Sequence, residues 1–338
     1  MAENSKIEWC DSTFNPWEGC QNVGPGCDNC YAETRNARFG GGVAVNWGPG
    51  APRRRTSAAN WRKPVQWNNQ GFYACANCGS RNSGHDGIDR EGAGTWKCAA
   101  CGSERLKAAR QRVFCASLAD VFDNEAPAAW RAELFALIGL TPHLDWLLLT
   151  KRIGNVPKMM DQPGMPKDGM PANVWLGATV VNQEEADRDI PKLLAVPARV
   201  RFLSIEPMLG PICIERATDQ ADEGTIDWVI AGGESGPSAR PVHPDWLRAL
   251  RDECEAFGVP FIFKQFGEWR PPMEGEKFNT AMGRAQKVPA FIVAPEGTVH
   301  CFENERTASG GKVMLRVGKK LAGRRLDGLT HDQFPESV

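Results

Sequence analysis

The sequence predicts an α/β protein: a full or partial (β/α) barrel of the TIM type, with an inserted zinc ribbon and a small C-terminal extension. Three observations carry this. Short runs that are apolar on both faces recur along the chain, as buried parallel strands require. Amphipathic stretches fall between several of them, which implies right-handed βαβ units. One segment, 68–111, breaks the alternation with glycine, asparagine, cysteine and charge. A doubly wound open sheet would show the same alternation and is the alternative architecture.

The runs come in order. TFNPWEG stands first, then RVFCASL at 112–118, DWLLLT at 145–150 and NVWLGATV at 173–180. VRFLSI follows at 200–205, DWVIAG at 227–232 and PFIFKQF at 260–266. APAAWRAELFALIGL and HPDWLRALRDECEAFG have helical periodicity, and Gly258 closes the second as a C-cap. Residues 1–67 and 112–269 are therefore read as the barrel and 68–111 as the insertion. Residues 270–338 are the extension, in which AFIVAPEGTVHCF and KVMLRVGKK predict a strand pair packed on the barrel.

Composition sets the class. With 42% apolar and 24% charged residues the chain can bury a sizeable core, and a net charge of −1 gives no global nucleic-acid footprint. The N-terminus is polar and no apolar run is long enough to span a bilayer, so a cytoplasmic protein with no membrane partner is expected. In that compartment the twelve cysteines point to metal ligation or catalysis rather than disulfides.

Seven of those cysteines fall into two sets. Cys75-x2-Cys78 and Cys98-x2-Cys101 supply four soft ligands from two turns, a zinc signature, with an iron–sulfur cluster as competitor. Gly79 and Gly102 suit the tight turn around sulfur, and Phe72, Tyr73 and Trp96 offer a small core. His85 lies inside the loop, where four thiolates already saturate an ion. The second set is Cys20, Cys27 and Cys30, in GCQNVGPGCDNCYAE. A redox dithiol leaves Cys20 unexplained, and a zinc site needs a fourth ligand, with Cys10 nearest. Three thiolates on one loop after the first strand fit a [4Fe–4S] cluster with one iron open. A helix beginning at Tyr31 would aim backbone N–H groups at the thiolates.

In such barrels chemistry sits at the C-terminal ends of the strands. Polar residues follow nearly every run: Ser117 and Asp120; Thr150, Lys151 and Arg152; Thr179 and Asn182; Glu206; Glu234 and Ser235; Lys264, Gln265 and Glu268. One such residue alone reads as a cap, but the series reads as a rim.

The cysteine loop resembles that of the radical S-adenosylmethionine superfamily, whose usual form is CxxxCxxC after strand one of a partial TIM barrel. It departs in its six-residue first gap and in Asn29, where an aromatic residue is common. Over nearly the whole chain outside the insertion, KIEWCDSTFNPWEGC, GCDNCYAE, LLLTKR, VWLGATVVNQ, VRFLSIEPMLGPI, DWVIAGGESGPSARPVHPDW, PFIFKQFGEW and VGKKLAGRRLDGLTHDQFP are similar to the phage gene-product-37/gene-product-68 family. That family is regarded as radical-SAM-like and distantly similar to spore photoproduct lyase.

The resemblance implies that Cys20, Cys27 and Cys30 hold a [4Fe–4S] cluster whose open iron binds S-adenosylmethionine. An electron from a flavodoxin or ferredoxin would cleave the cofactor, and a 5′-deoxyadenosyl radical would take a hydrogen from substrate. Lys151 or Arg152 would then pair the methionine carboxylate. Gly232, Gly233, Glu234 and Ser235 would meet the amine or ribose, Glu206 the ribose hydroxyls, and Lys264 and Gln265 the substrate. A separate three-Cys-motif partner protein accompanies many relatives.

The stretch PRRRTSAANWRKP, with Arg53, Arg54, Arg55, Arg62, Lys63 and nearby tryptophans, suits phosphate contact and base stacking. Modification or repair of a nucleic acid or nucleotide is the expected reaction. The competing readings are a non-catalytic nucleic-acid-binding protein with structural metals, and a zinc-dependent barrel hydrolase. The chain has no HxH or HExxH pattern, and its five histidines are scattered among expected capping, packing or surface roles.

Overall fold

Seven strands form the central sheet of the computed structural model, which describes residues 5–83, 88–91, 95–221, 224–273, 289–301 and 310–335. They are β1 (Ser12–Phe14), β2 (Gln111–Cys115), β3 (Leu144–Thr150), β4 (Val174–Thr179), β5 (Val200–Ile205), β6 (Trp228–Gly232) and β7 (Phe261–Gln265). All neighbouring pairs are parallel and follow chain order. An order without reversal has no topological switch point, which removes the doubly wound alternative. β1 and β7 do not pair with each other, so the sheet is a curled half-barrel rather than a closed barrel.

The helices packed on the strands include α1 (Tyr31–Phe39), α2 (Ala128–Gly139), α3 (Gln183–Leu194), α4 (Ile214–Thr218) and α5 (Pro244–Ala256). A five-residue helix, Val156–Met160, joins β3 to β4. α3 starts where Asn182 accepts the Glu185 N–H at 2.9 Å, an N-cap. It buries Ala186, Ile190, Leu193 and Leu194 at helical spacing. α5 ends as expected: Gly258 is left-handed at φ 67°, and the Val259 N–H reaches back to Cys254 at 2.8 Å. Each fully buried leucine or isoleucine of this layer contributes about 1.5–3 kcal/mol.

Two cores flank the sheet. The larger lies under the helices. The smaller includes Trp9, Phe114, Leu147, Trp175, Phe202, Trp228 and Ile262 but no helix residue, so it fills the concave face. Strand alternation carries that face upward from Trp175 through Gly177 to Thr179, and from Phe202 through Ser204 to Glu206. The concave face is therefore aromatic at the N-terminal ends and polar at the mouth.

The C-terminal segment covers the open edge. The Gln333 N–H donates to the Phe261 carbonyl, the Trp228 indole N–H donates to the Gln333 carbonyl, and Phe334 packs 5.2 Å from the Trp228 ring. Its pairing with β7 protects an edge strand. The rest of the extension is an antiparallel sheet in the order Trp269–Arg270, Lys312–Arg316, Ala290–Val293, Val299–Cys301. The expected pair is there, Ala290–Val293 against Lys312–Arg316, and two further short strands extend it.

The insertion holds the strands Phe72–Cys75, Arg81–Ser83, Ile88–Glu91, Thr95–Cys98 and Leu106–Ala108. Arg81 clamps it to the barrel through a two-pronged contact with Asp11, beside β1. His85 and the Trp96 side chain lie outside the described residues.

Candidate metal centre at the barrel mouth

The cysteine loop lies over the C-terminal end of the half-barrel. Cys20 does not follow β1 directly, because Trp17–Glu18 intervenes and pairs with Arg54–Arg55. Beyond it, Pro25–Cys27 forms a single 3-10 turn, and Cys30 occupies the N-cap position of α1. Part of the six-residue gap packs on the connection after β4. A Cβ on Gly26 would come 2.7 Å from Val181, and one on Gly24 would come 2.6 Å from the Glu185 carboxylate.

Three strand ends hold this loop. From β3, Arg152 pairs with Asp120 at 3.0 Å, donates to Cys20 Sγ at 3.4 Å and donates to the Gln21 carbonyl at 2.8 Å. From β6, Glu234 accepts Asn29 Nδ2 at 2.9 Å and pairs with Arg240, which donates to the Pro25 carbonyl and meets Asp28 at 3.1 Å. From β2, the Ser117 carbonyl accepts the Tyr31 hydroxyl. Asn29, the departure from the usual aromatic, is thus one of the ties between loop and barrel.

The thiols are half-buried. Burial, then Asp120, pushes Cys20 up to about 12, with Arg152 opposing. Burial also raises Cys30, while the backbone N–H groups of Glu33 and Ala32 pull the other way. Those N–H groups belong to the first turn of α1, where the sequence placed them. A thiolate in these positions needs added positive charge, as an iron centre supplies.

The predicted site residues separate by what they touch. Arg152 is spent on Asp120 and the loop. Glu234 is 7% exposed and fully engaged, which removes it as a free partner for an amine or ribose. Gly233 gives its N–H to the Gln265 carbonyl at 2.8 Å, so it offers no N–H to a ligand. A Cβ there would meet the Phe266 carbonyl oxygen at 2.1 Å, and close packing is its role. Gly232 sits within β6, and half-buried Ser235 follows Glu234.

Glu206 stays on the concave face, bound by Lys264 at 2.7 Å and Gln265 at 3.2 Å. Both side chains reach it because a bulge interrupts the β6–β7 register there. Lys151 is half-buried beside Gly26 and makes no ion pair among the described residues. Thr179 is 3% exposed, and its hydroxyl has no partner among the described residues. Sequence reasoning missed Arg240, Asn29 and Tyr31 as loop anchors, since their partners lie 86 to 215 residues away.

Other expectations change. Cys10 is no fourth ligand: it packs beside Trp9 in the concave core and donates to Ser5 at 3.5 Å. The basic stretch is largely consumed. Arg53 is buried against Asp123 at 2.6 Å, Arg54 pairs with Glu18, and Arg55 pairs with Glu133 while lying 4.1 Å over Trp61. Three histidines cap or pack: His243 accepts the Asp245 N–H, His143 contacts Asn68, and His331 meets Phe261.

The insertion brings its four cysteines together. Cys75, Cys78, Cys98 and Cys101 have sulfurs within 4.8 Å of one another, a group that could hold a metal ion. The two halves repeat one geometry: Gly79 donates to the Cys75 carbonyl at 2.9 Å and Gly102 to that of Cys98 at 2.7 Å, with φ of 72° and 70°. Among the described residues no other set converges in this way, the three-cysteine loop included.

A family model described as "Protein of unknown function (DUF5131)" matches residues 4–335. The chain belongs to the DUF5131 family. The match runs from the start of the half-barrel to the C-terminal extension. No curated protein and no solved structure matches. Among the described residues no helix is long and apolar enough to cross a membrane.

Proposed function

We propose that this protein is a radical S-adenosylmethionine enzyme, with Cys20, Cys27 and Cys30 as ligands of a [4Fe–4S] cluster. The carrying observation is a three-thiol loop anchored over the polar mouth of a parallel half-barrel, with Cys10, the nearest further cysteine in sequence, packed into the concave core instead. A single ion would draw its ligands together, as in the insertion; a larger cluster does not need that convergence. When bound, the cluster and S-adenosylmethionine supply one-electron cleavage of the sulfonium, which requires an external electron donor.

The chain's own residues then have distinct tasks. Arg152 and Arg240 fix the loop. Lys151, unpaired beside it, takes the methionine carboxylate, and the unpartnered Thr179 hydroxyl offers a hydrogen bond on the concave face. The Glu206–Lys264–Gln265 group lines the wall where ribose or substrate would lie. With Arg53, Arg54 and Arg55 paired, the support for a nucleic-acid substrate shrinks to exposed Arg62, and the proposal is confined to the cofactor chemistry.

We also assign zinc to the insertion. Tetrahedral thiolates at a Zn–S distance of ~2.3 Å have edges of ~3.8 Å. The Cys75–Cys101 and Cys78–Cys98 sulfur distances are both 3.7 Å.

The test is anaerobic reconstitution with iron and sulfide, then S-adenosylmethionine and dithionite. Formation of 5′-deoxyadenosine that is lost in Cys27→Ala and slowed at subsaturating cofactor in Lys151→Ala supports the reading. A reconstituted cluster with no cleavage refutes it.

A further inference from the structure

A second site lies at the opposite end of the half-barrel. A cavity of about 410 Å³ opens where the insertion meets the N-terminal ends of the strands. That volume falls within the range of small-molecule sites. Half-buried Tyr73 and the largely buried Trp67 and Trp175 line it, together with the polar residues Arg110, Arg199, Asp145 and His143. Gly71 lets the Tyr73 ring lie flat beside it, since a Cβ there would stand 3.1 Å from that ring.

Charge at this end is unbalanced. Asp145 sits in the field of Arg81, Arg110, Arg112 and Arg199. Arg81 is committed to Asp11. Arg110 reaches Asp145 only at 3.7 Å, and Arg199 holds only the Ala172 carbonyl, at 3.4 Å. Arg112 is 5% exposed and has no carboxylate partner; its guanidinium stacks 4.0 Å over Phe334 and 5.6 Å from Trp175, with Nε unsatisfied. Four guanidiniums thus face two carboxylates, Asp11 and Asp145, among the described residues. Of the four, Arg110 and Arg199 line the cavity and are exposed, so they are free to meet an anion entering it, while Arg112 lies outside the lining and adds only its field.

We propose that this cavity binds an anion of the mononucleotide class, its planar base against Tyr73 and its phosphate on Arg110 and Arg199. Guanidinium forks suit phosphate oxygens, and Asp145 is placed to accept from an exocyclic amine or ribose hydroxyl. The site is independent of the cysteine loop and stands whether or not that loop holds a cluster.

The test uses the full-length zinc-loaded protein without iron, titrated calorimetrically with AMP, adenosine and inorganic phosphate. AMP should bind saturably and at least about tenfold more tightly than adenosine or phosphate. The exposed pair Arg110→Ala/Arg199→Ala should weaken AMP at least tenfold and leave adenosine unchanged, and Ala109→Trp, which fills the cavity, should abolish both. No saturable AMP binding, or AMP binding untouched by the arginine pair and by Ala109→Trp, overturns the proposal.

Discussion

The Arg152 guanidinium meets a carboxylate, a thiol and a carbonyl at once, and each contact has a consequence. Its side chain is 5% exposed and that of Asp120 is 6% exposed. Arg152→Ala would therefore leave Asp120 as an uncompensated buried charge, at a cost of about 3–5 kcal/mol. Denaturant unfolding should show that loss, and Asp120→Asn in the same chain should recover part of it. Gly233 makes a second prediction at this scale. Gly233→Ala drives a Cβ into backbone at 2.1 Å, so it should cost ~3 kcal/mol or more in the same assay. A neutral result would mean that the β6–β7 crossing can open. The sequence named Arg152, Glu234 and Gly233 as site residues from their position at strand ends. It did not reveal that they anchor and pack while Lys151 stays unpaired. Identity is local information, whereas the partner of a charge is set by which strand ends the barrel brings together.

At the scale of elements, the insertion and the tail behave differently. Two matching turns of Cys-x2-Cys-Gly hold the insertion's four sulfurs, and few of its described side chains are buried. A segment with so little core would depend on a metal held by those sulfurs. Chelation should raise amide exchange across 72–108 while β3 through β6 stay protected, and added zinc should reverse it. Uniform deprotection would instead make the metal part of the barrel's own stability. The tail relies on charge. Asp327 receives Arg248 and Arg251 from α5, and these bonds hold its carboxyl down at about 2, against an ordinary 3.8. A depressed acid contributes stability above its unfolded pKa and loses it as pH falls. The native protein should thus weaken progressively between about pH 4 and pH 2. Asp327→Asn should flatten that limb in thermal melts and leave neutral pH less stable than native. Strand and helix positions along the barrel were legible because apolar period and helix caps are written locally. The two further strands of the extension sheet and the tail on β7 were not, because short strands joined across long intervals leave no local period.

At the scale of the whole molecule, the chain keeps three regions apart along one axis. Anchored thiols and polar side chains occupy the mouth, aromatic packing fills the middle, and an arginine-rich cavity sits at the base beside the insertion. The barrel class was readable from seven apolar runs, but closure was not, since a half-barrel and a full one share the same alternation. The central claim is that the two cysteine sets hold different metals. Metal analysis of the anaerobically reconstituted chain tests it most directly. The account predicts about four iron and one zinc per chain, with Cys27→Ser losing only the iron and Cys78→Ser only the zinc. Zinc alone in the reconstituted native chain, or iron that survives Cys27→Ser, would contradict it.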